Sequence, residues 1–209
     1  MTRIILTRHG ETQWNIERRV QGRLDSPLTE KGLAQARNLA LRLRSEKIDY
    51  LYSSDLPRAV ATAEEIRREL QLETIIPAPR IREFSFGDWE GKLWDELRTT
   101  HQEIFKIWDN TPHLVRVPNG DNMHTFAERV WEFLQELIIK HQGETICLVT
   151  HGMTLKLLVT KALGFSIDEL LKTPLQFNTA VNILEAKEMK INPVLLGDCS
   201  HLHETWKLD

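Results

Sequence analysis

The stretch Ile4-Ile5-Leu6-Thr7-Arg8-His9-Gly10 is echoed far along the chain by Ile146-Cys147-Leu148-Val149-Thr150-His151-Gly152. Each copy runs an apolar, β-branched segment into His-Gly. Continuous apolar runs of this kind are strands covered on both faces. Further runs at Tyr50–Ser53 and Thr74–Ile76 read the same way, as does the whole of Thr145–Thr150. Helical stripes fall between them: Leu33, Ala36, Ala40 and Leu43; Ala59, Ala63, Ile66 and Leu70; Phe126, Val130, Phe133, Leu137 and Ile138; and Leu155, Leu158, Val159 and Ala162. Spacings of three and four residues mark one buried face on each. Strands alternating with amphipathic helices predict an α/β fold, a three-layer helix-sheet-helix sandwich with a mostly parallel central sheet. Near the end, Ala180–Ala186 and Ile191–Leu196 flank a polar turn and predict a closing hairpin.

The chain has 209 residues, 41% hydrophobic and 27% charged, which predicts a single domain over residues 1–209. The segment from about Gly87 to Asn122 breaks the alternation, being rich in Trp, Thr, His and Pro, and reads as a cap insertion over a site. Trp89, Trp94, Phe105 and Trp108 would form its apolar wall or, the reading favoured here, local core. A formal charge of −3 without a Lys/Arg block gives no footprint for nucleic acid or an anionic membrane. No apolar run approaches the roughly 18 residues of a spanning helix, so a soluble, cytoplasmic protein is expected. Cys147 and Cys199 match no metal or redox spacing and read as reduced thiols.

In an open parallel sheet, ligands bind beyond the carboxyl ends of strands, where neighbouring connections diverge. That rule sends His9 and His151 to one rim. The glycine after each lets the backbone approach closely, and the first amides of the helix after Gly152 would point at an anion. In Ser53-Ser54-Asp55-Leu56-Pro57-Arg58, Ser54 or Asp55 is expected to cap a helix, with Pro57 in its first turn and Arg58 at its positive end. A carboxylate, Glu83, follows an extended segment. Each piece alone has an ordinary reading: a satisfied rim histidine, a solvated helix arginine, a strand-end acid. Their joint order is what phosphoryl transfer requires.

On those residues the chain resembles the histidine phosphatase superfamily, the phosphoglycerate mutase-like group. The likeness runs through Leu6 to Thr12, Trp14-Asn15, Gln21-Gly22, Leu28-Thr29 with Gly32, Ser53 to Asp55 with Arg58-Ala59 and Thr62-Ala63, Glu83 with Gly87 and Trp89 to Gly91, and Thr150 to Gly152. With Gly197-Asp198 and Ser200 to Leu202 it most resembles the bacterial broad-specificity phosphatases. The resemblance implies a phosphorylated nucleophile at His9, a proton donor and acceptor at Glu83, and a phosphate pocket of Arg8, Arg58 and His151, joined by Asn15 and Gln21. Gly152 is expected beside the phosphate too. Where relatives read Pro-x-Gly-Glu-Ser, this chain has Pro118-Asn119-Gly120-Asp121-Asn122; Asp and Asn still serve to cap the helix that follows.

The expected reaction is metal-independent hydrolysis of a small phosphate monoester, without cofactor. Arg8, Arg58 and a protonated His151 neutralise the dianion. His9 attacks as neutral imidazole. Glu83 must carry a proton to give the leaving oxygen, so turnover is expected to improve in mildly acidic buffer. The alternatives are a cofactor-dependent phosphoglycerate mutase or an α-ribazole phosphatase. Mutase chemistry needs a second anion site, for which Lys92 and Arg116 are the candidates, and the few basic residues between Glu83 and His151 favour water as acceptor. Two other classes compete: metal-dependent hydrolysis through His201-x-His203 with Asp198, and a phosphoester-binding regulatory module without turnover. The oligomeric state and the identity of the ester are not encoded in these patterns.

Overall fold

The two His-Gly strands lie side by side. In a computed structural model, which describes residues 1–203 and 206, β1 (Thr2–Arg8) pairs in parallel with β4 (Thr145–Thr150), Arg8 opposite Thr150. With β2 (Tyr50–Ser53), β3 (Ile76–Pro77), β5 (Val181–Lys187) and β6 (Lys190–Asp198), they form a six-stranded sheet in the order β3-β2-β4-β1-β5-β6. The β1–β4, β2–β4 and β2–β3 pairs are parallel, and the closing hairpin β5–β6 is antiparallel, as is its junction with β1. The edge run expected at Thr74–Ile76 is displaced: only Ile76 and Pro77 pair, a position Pro tolerates because an edge residue need not donate.

Side-chain alternation divides the sheet into two cores. Ile5, Leu51, Cys147 and Val149 pack against α2 (Glu30–Arg42) and α3 (Pro57–Glu69) through Leu39, Ala40, Ala59, Ala63 and Ile66. Ile4, Leu6, Ile146 and Leu148 face the other way, against α6 (Met123–Lys140) and α7 (Gly152–Ala162) through Phe126, Val130, Leu155 and Leu158. The result is the three-layer α/β sandwich with a mostly parallel sheet. Because β1 leads toward the α2 face and β4 leads straight into α7 on the opposite face, a crevice opens between the ends of these two strands.

The loop after β1 carries the short helix α1 (Gln13–Ile16) and is pinned by backbone contact with α2. A Cβ on Gly10 would lie 2.5 Å from the Gly32 carbonyl oxygen, and one on Gly32 would lie 2.0 Å from the Glu11 carbonyl oxygen. Only glycine permits that approach. Thr29 caps α2 by accepting from the Gly32 amide, and its own amide donates to Glu11.

Residues 87 to 122 contain two short helices, α4 (Trp94–Thr100) and α5 (Gln102–Asn110). The sequence leaves open which aromatics are core and which are wall, and the structure divides them. Trp89 is fully buried and stacks on Phe105 with centroids 5.0 Å apart, whereas Trp94 and Trp108 are half-buried and line a cleft. Gly87 fixes where the segment departs. Its φ is +48°, and a Cβ there would fall within 2.4 Å of the Pro118 oxygen, Asn119 carbonyl carbon and Gly120 nitrogen. Gly87→Ala is expected to destabilise the protein by about 2–4 kcal/mol, since backbone, not a flexible side chain, must yield. Urea unfolding measures it; an unchanged midpoint with unchanged slope refutes it.

Candidate active site

Beyond the ends of β1 and β4 lies a cleft of about 310 Å³ bounded by Arg8, His9, Asn15, Gln21, Arg58, Glu83 and Gly152, with the cap aromatics opposite. The His9 and His151 rings stand 5.3 Å apart, centroid to centroid, with His151 fully buried behind His9. That spacing sets the two imidazoles side by side beyond β1 and β4, His9 on the cleft wall and His151 next to it in the interior.

Two partners fix the state of His9. Its Nδ1 lies 2.7 Å from the Gly10 carbonyl, which only accepts, so Nδ1 carries the hydrogen. Its Nε2 receives the Arg58 Nε–H at 3.2 Å, so Nε2 presents a lone pair. Burial first, then Arg58 and Arg8, hold the imidazole well below the usual histidine range. His9 is therefore a neutral, oriented imidazole at neutral pH, with its Nε2 lone pair directed at Arg58.

Arg58, 2% exposed, is held by hydrogen bonds to His9 and to the turn that precedes α2. Besides His9 it donates to the carbonyls of Gly22 (2.7 Å) and Leu24 (2.8 Å) and to Asp25 (3.0 Å). Arg8 is held more lightly. Its Nη1 donates to Gln176 O at 3.0 Å, and its buried Nε has no partner among the described residues. Gln21 Oε1 is another buried, unpartnered atom, and Asn15 is held with its Oδ1 accepting from the Thr12 amide.

Glu83 changes the expected use of the α7 terminus. Its carboxylate accepts from the amides of Met153 (3.1 Å) and Thr154 (3.2 Å), as well as from its neighbour Phe84 (3.0 Å). The helix start therefore anchors a protein acid, with Gly152 beside it: a Cβ there would sit 3.6 Å from both Arg8 Nε and Glu83 Oε2. The helix dipole holds Glu83 at the cleft wall, where the sequence suggested direct phosphate binding.

Three further expectations are corrected. Ser54 and Asp55 do not cap α3 as its N-cap residue; Leu56 occupies that position and Pro57 opens the helix. Ser54 instead bonds His151, and Asp55 is taken by a two-pronged ion pair with Arg82. A protonated His151 is disfavoured by the protein's own charges, since burial, Arg58, His9, Arg8 and Arg129 all push its pKa well below the usual value. Lys92 and Arg116 do not line the cleft; the cations at its mouth are Arg18, Arg19 and Arg98. Arg98 pairs with Asp109 and lies over Phe105, contacts between adjoining helices that no one-dimensional spacing displays.

The competing metal set is not assembled. Asp198 pairs with Arg42 at 3.1 Å and His201 Nε2 lies 3.2 Å from Thr179 Oγ1, and among the described residues no three His, Cys, Asp or Glu side chains converge as ligands. Asn122 caps α6, accepting from the His124 amide, while Asp121 receives Arg23 at 2.7 Å and the Ser85 amide. Asp121 and Asn122 thus keep the structural task at the departure from the family pattern. Among the described residues no helix is long and apolar enough to cross a membrane.

Comparison with known proteins bears on the same cleft. A family model described as "Histidine phosphatase superfamily (branch 1)" matches residues 4–198. The chain is 33% identical over 204 residues to "Phosphoserine phosphatase 1" of Hydrogenobacter thermophilus, covering 98% of this chain and 96% of that protein. It is 32% identical over 204 residues to "Metal-independent phosphoserine phosphatase" of Arabidopsis thaliana, covering 97% and 84%. Among solved structures, Bacillus stearothermophilus YhfR superposes with a TM-score of 0.91 at 39% identity, over 96% of this chain and 99% of that one.

Proposed function

The chain belongs to the histidine phosphatase superfamily and hydrolyses small phosphate monoesters through a phosphohistidine; from that premise we propose that His9 carries the phosphoryl group, that Glu83 moves the proton, and that residues 87–122 form the cap of a single domain that selects the ester. The observation that supports the first assignment most directly is the pair of bonds on His9, one fixing Nδ1–H and the other fixing the Nε2 lone pair.

In the first step Nε2 of His9 attacks phosphorus and the ester P–O bond breaks. As the P–N bond forms, the Arg58 Nε–H passes from the ring nitrogen to a non-bridging oxygen, joined by the free Nε–H of Arg8. Glu83 gives its proton to the leaving oxygen. In the second step the Glu83 carboxylate takes a proton from water, whose oxygen attacks phosphorus, and the P–N bond breaks to release phosphate. Glu83→Gln keeps the shape but cannot cycle a proton. It is expected to lower kcat about 10²- to 10³-fold with little change in KM for an ester with a poor leaving group, and less for 4-nitrophenyl phosphate, whose leaving group needs no acid. Equal losses on both esters would refute the acid role. Full activity is expected in excess chelator.

The depressed pKa of His9 has a sign that can be checked. A nucleophile titrating at the ordinary value near 6.5 would be only about one-tenth neutral at pH 5.5. His9 is held well below that value, so its lone pair persists and kcat/KM at pH 5.5 is expected within about twofold of its value at pH 7. A tenfold fall between pH 7 and 5.5 contradicts the assignment.

For the ester itself we propose a short phosphomonoester bearing a carboxylate, phosphoserine being the one named for two relatives. Arg18, Arg19 and Arg98 line the same cleft as Arg8 and Arg58, together with Phe86, Trp94 and Trp108, and their side chains are far more exposed than that of Arg58. The test compares kcat/KM for O-phosphoserine and phosphoethanolamine, which lacks the carboxylate. A preference of about tenfold or more for phosphoserine is expected, one charge-assisted contact's worth; equal values would remove the mouth arginines from recognition. Hydrolysis is also expected to exceed isomerisation of 3-phosphoglycerate in the same assay.

A further inference from the structure

The mechanism leaves His151 without an account of how a neutral imidazole assists an anion. Ser54, fully buried at the end of β2, supplies one. Its Oγ accepts the Leu56 amide at 3.3 Å and lies 2.7 Å from His151 Nε2. On the far side of the ring, His151 Nδ1 is buried and has no partner among the described residues.

Charge decides the protonation state and the hydroxyl decides the tautomer. The groups facing His151 are Arg8 and His9 at the end of β1, Arg58 on α3 and Arg129 on α6; Glu83 sits on the next amides of α7. The surrounding guanidiniums favour a neutral ring, which has a single N–H to place. If that hydrogen were on Nε2 it would point at Ser54, leaving the serine proton buried with no acceptor. With the hydrogen on Nδ1, Ser54 donates to Nε2, accepts from Leu56, and every group on that side is satisfied.

We propose that Ser54 is a positioning residue, donating its hydroxyl hydrogen to Nε2 so that neutral His151 keeps its Nδ1–H free for a phosphoryl oxygen. The proposal rests on the cleft being a phosphoryl-transfer site. Without the serine, the cationic surroundings favour turning the Nδ1 lone pair toward the arginines and moving the hydrogen to Nε2, the wrong arrangement for an anion.

The test is ¹⁵N NMR of histidine-labelled protein at pH 7, with the His151 signal assigned by its loss in His151→Gln. Wild type is expected as the Nδ1–H tautomer and Ser54→Ala shifted to Nε2–H. Ser54→Thr, which retains a hydroxyl, is expected to restore the first pattern. Kinetically, Ser54→Ala is expected to lower kcat/KM about 10- to 100-fold at pH 7.5, the worth of one oriented donor. A wild-type His151 carrying its hydrogen on Nε2, or on both nitrogens at pH 7, overturns the proposal, as does a Ser54→Ala protein that keeps the wild-type tautomer. The tautomer is read without turnover, so it stands or falls separately from the role given to His9.

Discussion

His9→Ala is expected to lower hydrolysis by about 10⁴-fold or more, the loss seen when a covalent nucleophile is removed from an otherwise intact site. No neighbour takes its place. The other imidazole is fully buried behind it, with Nε2 occupied by Ser54. The variant keeps both guanidiniums and loses only a side chain with two hydrogen bonds, so it should fold and still bind phosphate. Rapid acid-free quenching of wild type after mixing with ³²P-labelled ester should trap label on the protein; the variant should trap none. Retention of more than about one-hundredth of wild-type turnover by His9→Ala would point to direct attack by water and end the phosphohistidine assignment at this residue.

Arg58→Ala is expected to lose both activity and structure. Removing a donor aimed at developing charge costs about 10²- to 10³-fold in kcat, and here the same change releases His9 Nε2. It also strands the buried carbonyl of Gly22, a group that costs about 1–3 kcal/mol without a donor, and frees the more exposed carbonyl of Leu24. Arg8→Ala makes the contrast. With the Gln176 carbonyl as its one side-chain hydrogen-bond partner among the described residues, it is expected to lose activity of the same order with a much smaller shift in unfolding midpoint. Arg58→Lys should rescue neither property, because one ammonium does not span acceptors that a planar fork reaches together. A fully active Arg58→Lys protein would show that charge alone suffices.

What the sequence makes legible follows from periodicity and from type. The two strands ending in His-Gly, and the divergence of their following helices to opposite faces, follow from patterns of two and of three to four residues. They place His9 and His151 together before any coordinates. What stays hidden depends on pairing across distance. Ser54 reads as a helix cap because its neighbours Pro57 and Arg58 start a helix, and nothing local shows that the end of β2 lies against the ring of His151. The α7 amides read as an anion site, which they are, but the anion is Glu83. Lys92 and Arg116 were candidates by position in the chain, whereas Arg18, Arg19 and Arg98 reach the mouth through the way α1 and the short cap helices fold over it. The aromatic segment could not be divided into core and wall without knowing that Trp89 stacks on Phe105.

The turn at Gly22 to Asp25 that grips Arg58 is itself gripped from the cap side. Glu90 Oε1 accepts from the Arg23 amide, Ser85 Oγ and the Phe86 amide, and Asp121 takes the Arg23 guanidinium. If residues 87–122 select the ester as proposed, substrate range and catalytic competence are therefore not separable modules. An engineer grafting a foreign lid in place of residues 87–122 would discard Glu90 and Asp121 with it, and the recipient would need Arg23 and its surroundings redesigned to match before any new preference could be expressed as turnover.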